Sequence, residues 1–463
     1  MTIRLRRGRT LLVLVLVIAV LAALATFWWL RNGRYVYGRW VWQPEQIELL
    51  PDMRQAPVTG WRTSTLDLGL PSPTANGSAP TIAASNVPSD PKPLIGASGE
   101  RAYFLANSLA SADPEWWLAG IDTGDGHWVF DAVLLSTGTV APTCLLNGPD
   151  QILCVERSSE GGATIIDADS GNVIYRGPTD IKANNGSLNL RQLGPYAVAT
   201  SQDKGIYGIG DRAETTWFVP GDGSLTAVSD ARVGMEGSVL SAQRSTNPQR
   251  GDSVVFSVAD GRPVETDLEK GASLHDPVVY PGGFAANVQS EDRRYLGTYF
   301  FDESGRTLAE VDGRLVGSTL IDLPVIALGN SDEVTVFTPD GFRLLDVADQ
   351  GLNRVGTTLF HLENGTREFP EWRQYDLKTG AKGPVCDFPM HRLLGTDGSA
   401  LVFETTNRQA GRLASARDMA TCADLWVLPA EPNSLQRIWR IGSNLIQLSA
   451  DGTELSSLVP PRQ

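Results

Sequence analysis

The chain is poor in the residues that usually carry chemistry. In 463 residues there are four histidines, His127, His275, His361 and His391, far apart and each near a turn or strand end. No G-x-S-x-G and no glycine-rich phosphate loop ahead of a helix is present, so nothing marks a serine nucleophile or a nucleotide cradle. Basic clusters are missing beyond the N-terminus, and the net charge is -14. Phosphate backbones need clustered Lys and Arg, so nucleic acid is excluded as the main partner. No amphipathic helical pattern exceeds about two turns, which points away from a helical body. The histidines read as solvated or singly bonded groups, with no metal expected. Asp167-Ala168-Asp169-Ser170-Gly171-Asn172 spaces two carboxylates as calcium loops do, but lacks the later bidentate Glu and reads as a turn. No catalytic residue, cofactor or metal ligand is assigned.

What is present is a repeated hairpin. Gly162–Tyr175 sets apolar, β-branched arms on either side of a turn holding Asp, Ser and Gly. Related units follow at Leu118–Phe130, Val254–Val264, Tyr299–Leu308, Val334–Leu345 and Arg373–Val385. Outer turns fall near residues 123, 169, 211, 260, 304, 340, 379 and 430, a mean spacing of roughly 44 residues, the length of one four-stranded blade. The expected fold is all-β: a β-propeller of four-stranded antiparallel blades, eight of them with seven as the alternative, behind one N-terminal transmembrane helix. Asn444–Val459 reads as a last hairpin that completes the blade opening near Ala102–Leu105 and so removes free sheet edges. Thr405–Asp424 and Gly177–Asn189 fit the repeat poorly, the first as an inserted loop or short helix.

Leu11–Leu30 is uncharged and contains one polar residue, Thr26. Twenty helical residues span about 30 Å, the thickness of a bilayer core. Trp28 and Trp29 sit at its far end, at the expected membrane interface, and Arg4, Arg6, Arg7 and Arg9 precede it. This gives a cytoplasmic tail (1–10), a membrane span (11–30), a juxtamembrane segment and linker (31–93), and a propeller (94–463) outside the plasma membrane. A cleaved signal peptide, cut after Ala23-Leu24-Ala25, is the competing reading, and it too places the body outside. Within 31–70, Tyr35, Tyr37, Trp40 and Trp42 are expected to rest on headgroups or on the propeller, and Trp61–Leu70 to return to it as a strand. An even cysteine count in an exported chain suggests two disulfides, Cys144 with Cys154 across a hairpin and Cys386 with Cys422.

Leu118-Ala119-Gly120-Ile121-Asp122-Thr123-Gly124 followed by Trp128, Ile166 to Gly171 followed by Tyr175, and Tyr375 to Gly380 resemble the PQQ-like repeat of quinoprotein-type propellers. The resemblance implies rings that dock between blades, here Trp128, Tyr175, Trp217 and Trp439. Some members of that family are quinone-dependent dehydrogenases and others are non-catalytic scaffolds. The dehydrogenases usually carry a vicinal Cys-Cys pair, which this chain lacks. The reading is therefore a non-enzymatic scaffold that binds cell-envelope proteins on its face, with a quinone-dependent dehydrogenase as the alternative.

Overall fold

Alternating β-branched and small apolar residues, cut every few positions by Asp and Gly, leave the chain little choice but short antiparallel strands joined by tight turns. The computed structural model describes residues 33–44, 47–72, 79–83, 92–108, 114–157, 162–181, 189–225, 238–245, 252–316, 321–329, 333–348, 350–365, 370–405, 411–432 and 434–462. Among them the strands form eight antiparallel sheets, as expected of an all-β propeller. In chain order, blade 1 runs over 94–137, with Thr81–Ile82 added beside Arg101–Asn107. Blade 2 covers 143–178, blade 3 covers 189–220, blade 4 covers 273–311, blade 5 covers 314–348, blade 6 covers 352–386 and blade 7 covers 393–429. Blade 8 takes three strands from 437–459 and its fourth, Val58–Ser64, from the other end of the chain.

One sheet is six-stranded. It is blade 4 extended by a two-stranded hairpin, Leu240–Arg244 and Ser253–Ser257, and a single residue pair, Ser253 with Leu274, connects the two. The hairpin has its own outer turn at Ser257–Arg262 and a bridge from Phe256 to Pro263. Among the described residues it is thus a two-stranded unit, lying between blades 3 and 4 in chain order.

Two expectations change. The C-terminal hairpin does not complete the sheet of Ala102–Leu105. Glu454–Val459 pairs instead with Val58–Ser64, from Val58 opposite Val459 to Ser64 opposite Glu454. The ring therefore draws on chain upstream of residue 94, inside the segment read as juxtamembrane, where Val58–Ser64 overlaps the start of Trp61–Leu70, the stretch expected to return as a strand. Arg412–Asp418, within the supposed insertion, is the third strand of blade 7, with Leu413, Ala414 and Ala416 buried. Its small residues suit close packing between blades, and that burial outweighs a weak strand propensity. The stretch 11–30, with Trp28 and Trp29, lies outside the described residues; among those, no helix is long and apolar enough to cross a membrane.

The core consists of clusters that straddle adjacent blades rather than one central mass. Phe104 of blade 1 packs with Ile446 and Leu448 of blade 8, and Phe360 of blade 6 with Leu401 and Phe403 of blade 7. Each blade has apolar residues on both faces and buries them against its two neighbours.

Candidate functional site

The turn that joins the third and fourth strands of each blade is the recurring structural device. Asp167 Oδ1 accepts hydrogen bonds from the backbone N–H of Ser170 at 2.8 Å and of Asp169 at 3.2 Å. Asp376 does the same for Lys378 and Thr379, and Asp418 for Ala420 and Thr421. The Asp167 carboxylate is thus a turn cap, and Asp169 pairs with Arg101. Among the described residues no group of three His, Cys, Asp or Glu is placed to hold a metal. The residue four after Asp167 and after Asp376 sits at positive φ, Gly171 at 70° and Gly380 at 75°, a conformation that favours glycine. The residue just after the Asp bonds back to the turn between strands one and two, as in Leu377 N–H to Thr357 O at 2.8 Å and Met419 N–H to Ser399 O at 2.8 Å. Both sets of turns therefore lie on one face of the ring, the turn face. In an antiparallel meander the turns between strands two and three fall on the other, the loop face.

The turn glycines also form the seams. A Cβ on Gly171 of blade 2 would strike Phe130 of blade 1 at 2.5 Å. Gly126 of blade 1 meets Trp61 of blade 8, and Gly261 of the hairpin meets Trp217 of blade 3, in the same way. The outermost strand of one blade thus lays a ring on the turn glycine of the next. Trp217 lies against Gly261, its ring 6.1 Å from that of Phe256. Tyr175 is half-buried in a cluster with Ala197 and Ala213 of blade 3, its hydroxyl donating to Pro178 O. Trp439 sits on the innermost strand of blade 8 and meets Phe104 of blade 1 edge-on at 5.3 Å. Trp128 is 48% exposed, and Phe130, 4% exposed, takes the docking place. Register shifts between Leu118, Gly120 and Ile121 move the buried ring two residues along.

Both cysteine pairs are at disulfide distance. Cys144 and Cys154 lie opposite each other within blade 2, with a Cα separation of 4.1 Å. Cys386 ends the outermost strand of blade 6 and joins Cys422, in the third turn of blade 7. Cys422 occupies the position that Gly380 and Gly171 fill elsewhere and keeps its positive φ, 63°. The seam between blades 6 and 7 is therefore covalent. Aligning Asp418-Met419-Ala420-Thr421-Cys422 under Asp376-Leu377-Lys378-Thr379-Gly380 makes this readable in the sequence.

The least expected element is the segment 33–56, which runs as a strap from blade 5 to blade 8. Residues 33–41 are helical. Tyr35 Oη donates to Asp346 Oδ2 at 2.5 Å, and Arg39 Nε donates to Leu344 O at 2.8 Å, both on the outermost strand of blade 5. Arg39 also donates to Thr379 O at 3.0 Å in the blade 6 turn, and its guanidinium lies against Gly380, where other seams place a ring. Gly38 is required by close approach, since a Cβ there would sit 2.3 Å from Arg343 O. Trp42 is buried at 5% exposure among Leu344, Val347 and Leu377, beneath Lys378, which donates to Trp42 O.

The strap then crosses the turn face. Leu50 N–H donates to Thr396 O at 2.8 Å and Met53 N–H to Asp397 Oδ2 at 2.7 Å, both in blade 7. Trp426 Nε1 donates to Met53 O at 2.7 Å, Arg54 pairs with Asp418 at 2.8 Å, and Arg440 of blade 8 donates to Glu48 O. Burial pushes the Asp397 carboxyl up, but N–H groups of Ala400, Met53 and Ser399, with the Ser399 hydroxyl, outweigh it and hold the group below its ordinary range. Asp418 is lowered by the Thr421 N–H and hydroxyl, with Arg54 adding to the effect. Desolvation lowers the Arg440 guanidinium.

The histidines sit on different parts of the ring. His127 is exposed beside Asp125, His275 is near Ser273 and Asp252, and His391 touches Arg392. His361 is buried in blade 6, and that burial lowers its pKa. Arg354 of blade 6 forms a buried two-point pair with Asp322 beside blade 5, a further inter-blade tie.

These features define the class: a β-propeller closed by a strand from its N-terminal side and strapped across its turn face. The chain belongs to the family of conjugation-associated 9-bladed beta-propeller domains, whose pattern it matches over residues 36–461. Nine outer turns are reached by counting the hairpin 240–257 as a blade beside the eight sheets. The PQQ-like resemblance remains a likeness of turn motif. The chain is 35% identical over 443 residues to an uncharacterised protein of Mycolicibacterium smegmatis (strain MKD8), covering 92% of this chain and 89% of that protein. Among solved structures it resembles BamB from Moraxella catarrhalis, with 13% identity, a TM-score of 0.29, and 87% of this chain and 100% of that one covered. It also resembles a eukaryotic initiation factor, with 12% identity, a TM-score of 0.43, and 76% and 90% covered.

Proposed function

We propose that this protein is a single-pass, membrane-anchored propeller standing outside the plasma membrane, with its N-terminus in the cytoplasm. There it acts as a non-enzymatic scaffold for a protein partner in a conjugation apparatus of the cell envelope. The observation that carries the reading is the strap. It leaves the apolar stretch Leu11–Leu30 and within three residues enters a helix pinned to blades 5 and 6. A chain so held is a rigid mount rather than a slack tether. Its described contacts lie on the turn face and the rim, and none of them falls on the loop face, which is where a partner would dock. The family's association with conjugation supports the setting, and the net charge of -14 supports a protein partner over a nucleic acid.

The test is photo-crosslinking in cells that carry out conjugation. Probes replace Asp203 and Arg293, which are exposed at the tips of loop-face turns, and Asp169 and Lys378 on the turn face. Specific adducts from the loop-face positions, with transfer lost on deletion of the gene, are expected. No adduct from either face, or unaltered transfer without the gene, would sink the scaffold reading.

A further inference from the structure

We infer that the outward side of helix 33–41, formed by Val36, Tyr37 and Trp40, lies in the headgroup layer of the bilayer and seats the propeller rim on the membrane. The inference rests on the anchored reading above and adds a surface to it. Residues 34–42 divide their side chains in two. Tyr35, Arg39 and Trp42 point into blades 5 and 6. Val36, Tyr37 and Trp40 point away and are 38%, 47% and 77% exposed; Trp40 is the most exposed large apolar side chain among the described residues. The next most exposed rings among the described residues, Trp128 and Phe218, are each 48% exposed.

Position decides the occupant. Residue 33 follows Leu30 by three residues, at most about 10 Å of extended chain, so the helix begins within the interfacial layer if Leu11–Leu30 spans the bilayer. Tyr and Trp favour that layer because each has an apolar body and a polar edge. The rings are pre-ordered: Tyr37 stands edge-on to Phe342 at 5.3 Å and lies 6.1 Å from Trp40. Arg34 is exposed on the same helix, where a guanidinium meets lipid phosphate. The whole chain carries a net charge of -14, and the body beyond Leu30 is more negative still because Arg4, Arg6, Arg7 and Arg9 precede the span; an anionic surface repels it, so neutral rings and Arg34 help to hold it close. Gly38 and the bonds from Tyr35 and Arg39 fix the patch on the ring, so burying it sets the tilt of the propeller.

The experiment uses the full chain in vesicles of phosphatidylcholine and phosphatidylglycerol. The native cysteines are paired, so Trp40→Cys, and separately Tyr37→Cys, gives one thiol for an environment-sensitive fluorophore. Phe218→Cys, on blade 3, is the reference. Fluorescence from positions 40 and 37 is expected to shift to the blue and to be quenched several-fold more than that from 218 by lipid spin-labelled near the headgroup. Equal quenching at all three positions, in protein that survives an alkaline wash of the vesicles, overturns the seat and leaves the anchor standing. Release by the alkaline wash overturns the anchor and the seat with it. Crosslinking of position 40 to another membrane protein in native membranes, without lipid quenching, assigns the patch to a protein and also overturns the proposal.

Discussion

The ring has a fastened side and a thin side. From blade 5 to blade 8 the strap adds hydrogen bonds at successive blades, a disulfide joins blades 6 and 7, and the Arg354–Asp322 pair ties 5 to 6. Between blades 3 and 4 the described residues hold a two-stranded hairpin, joined to its neighbour's sheet by one residue pair. Cys144–Cys154 lies inside a single blade and crosses no seam. Reinforcement is therefore concentrated where the chain enters from the proposed membrane side. A closed ring opens at its weakest seam, so native-state hydrogen exchange should be fastest over 240–257 and slowest in blades 6 and 7.

The largest expected effect comes from removing the key of the strap. Trp42→Ala empties a buried site between blades 5 and 6 and should cost about 4 kcal/mol of unfolding free energy. Urea unfolding gives the size, and hydrogen exchange should rise in blades 5 and 6 while the hairpin is unchanged. Equal loosening all round the ring would erase the distinction between the two sides.

Next come the two disulfides. Cys386→Ala with Cys422→Gly removes a cross-link over a sequence separation of 36 and returns to the turn the residue its geometry favours. The loss should be about 3 to 4 kcal/mol. Cys144→Ala with Cys154→Ala opens a separation of only 10, so its chain-entropy contribution is about 1 kcal/mol smaller. The first pair of changes should also raise exchange across the seam between blades 6 and 7, and the second should stay within blade 2.

A smaller effect separates two equivalent turns. Asp418 caps its turn and also holds Arg54 of the strap, whereas Asp302 of blade 4 caps a turn with no strap over it. Asp418→Ala should cost about 2 kcal/mol and Asp302→Ala less. Both carboxyls are lowered on folding, Asp418 chiefly by the Thr421 N–H and Asp302 chiefly by the Ser304 hydroxyl. A lowered folded value stabilises fully above the unfolded pKa and is lost as pH falls through the folded one. The gap between wild type and either variant should therefore be constant at neutral pH and narrow below about pH 4.

Local pattern carries the hairpins, the turn chemistry and both cysteine pairs, because each is set by a few residues in sequence. The closure was not readable in the same way. Val58 pairs with Val459 across almost the whole chain, and nothing near Val58–Ser64 names its partner. The third strand of blade 7 was hidden because Arg412-Leu413-Ala414-Ser415-Ala416 has little strand propensity and is held by burial. Within 31–56 the aromatics were visible, but which of them face the ring depends on the surfaces of blades 5 and 6.

The smallest effect tests how a ring finds its seam. Trp128 matches the repeat motif, yet it lies half out in solvent, and Phe130 fills the place against Gly171. Trp128→Ala should change stability by no more than about 0.5 kcal/mol, as an exposed substitution does, while Phe130→Ala should cost about 3 kcal/mol or more. The motif specifies a ring in the outermost strand, and the bulges of blade 1 choose which one. If the costs were reversed, the register of blade 1 would be wrong by two residues, and the ring-on-glycine account of the seams would lose its best-packed example.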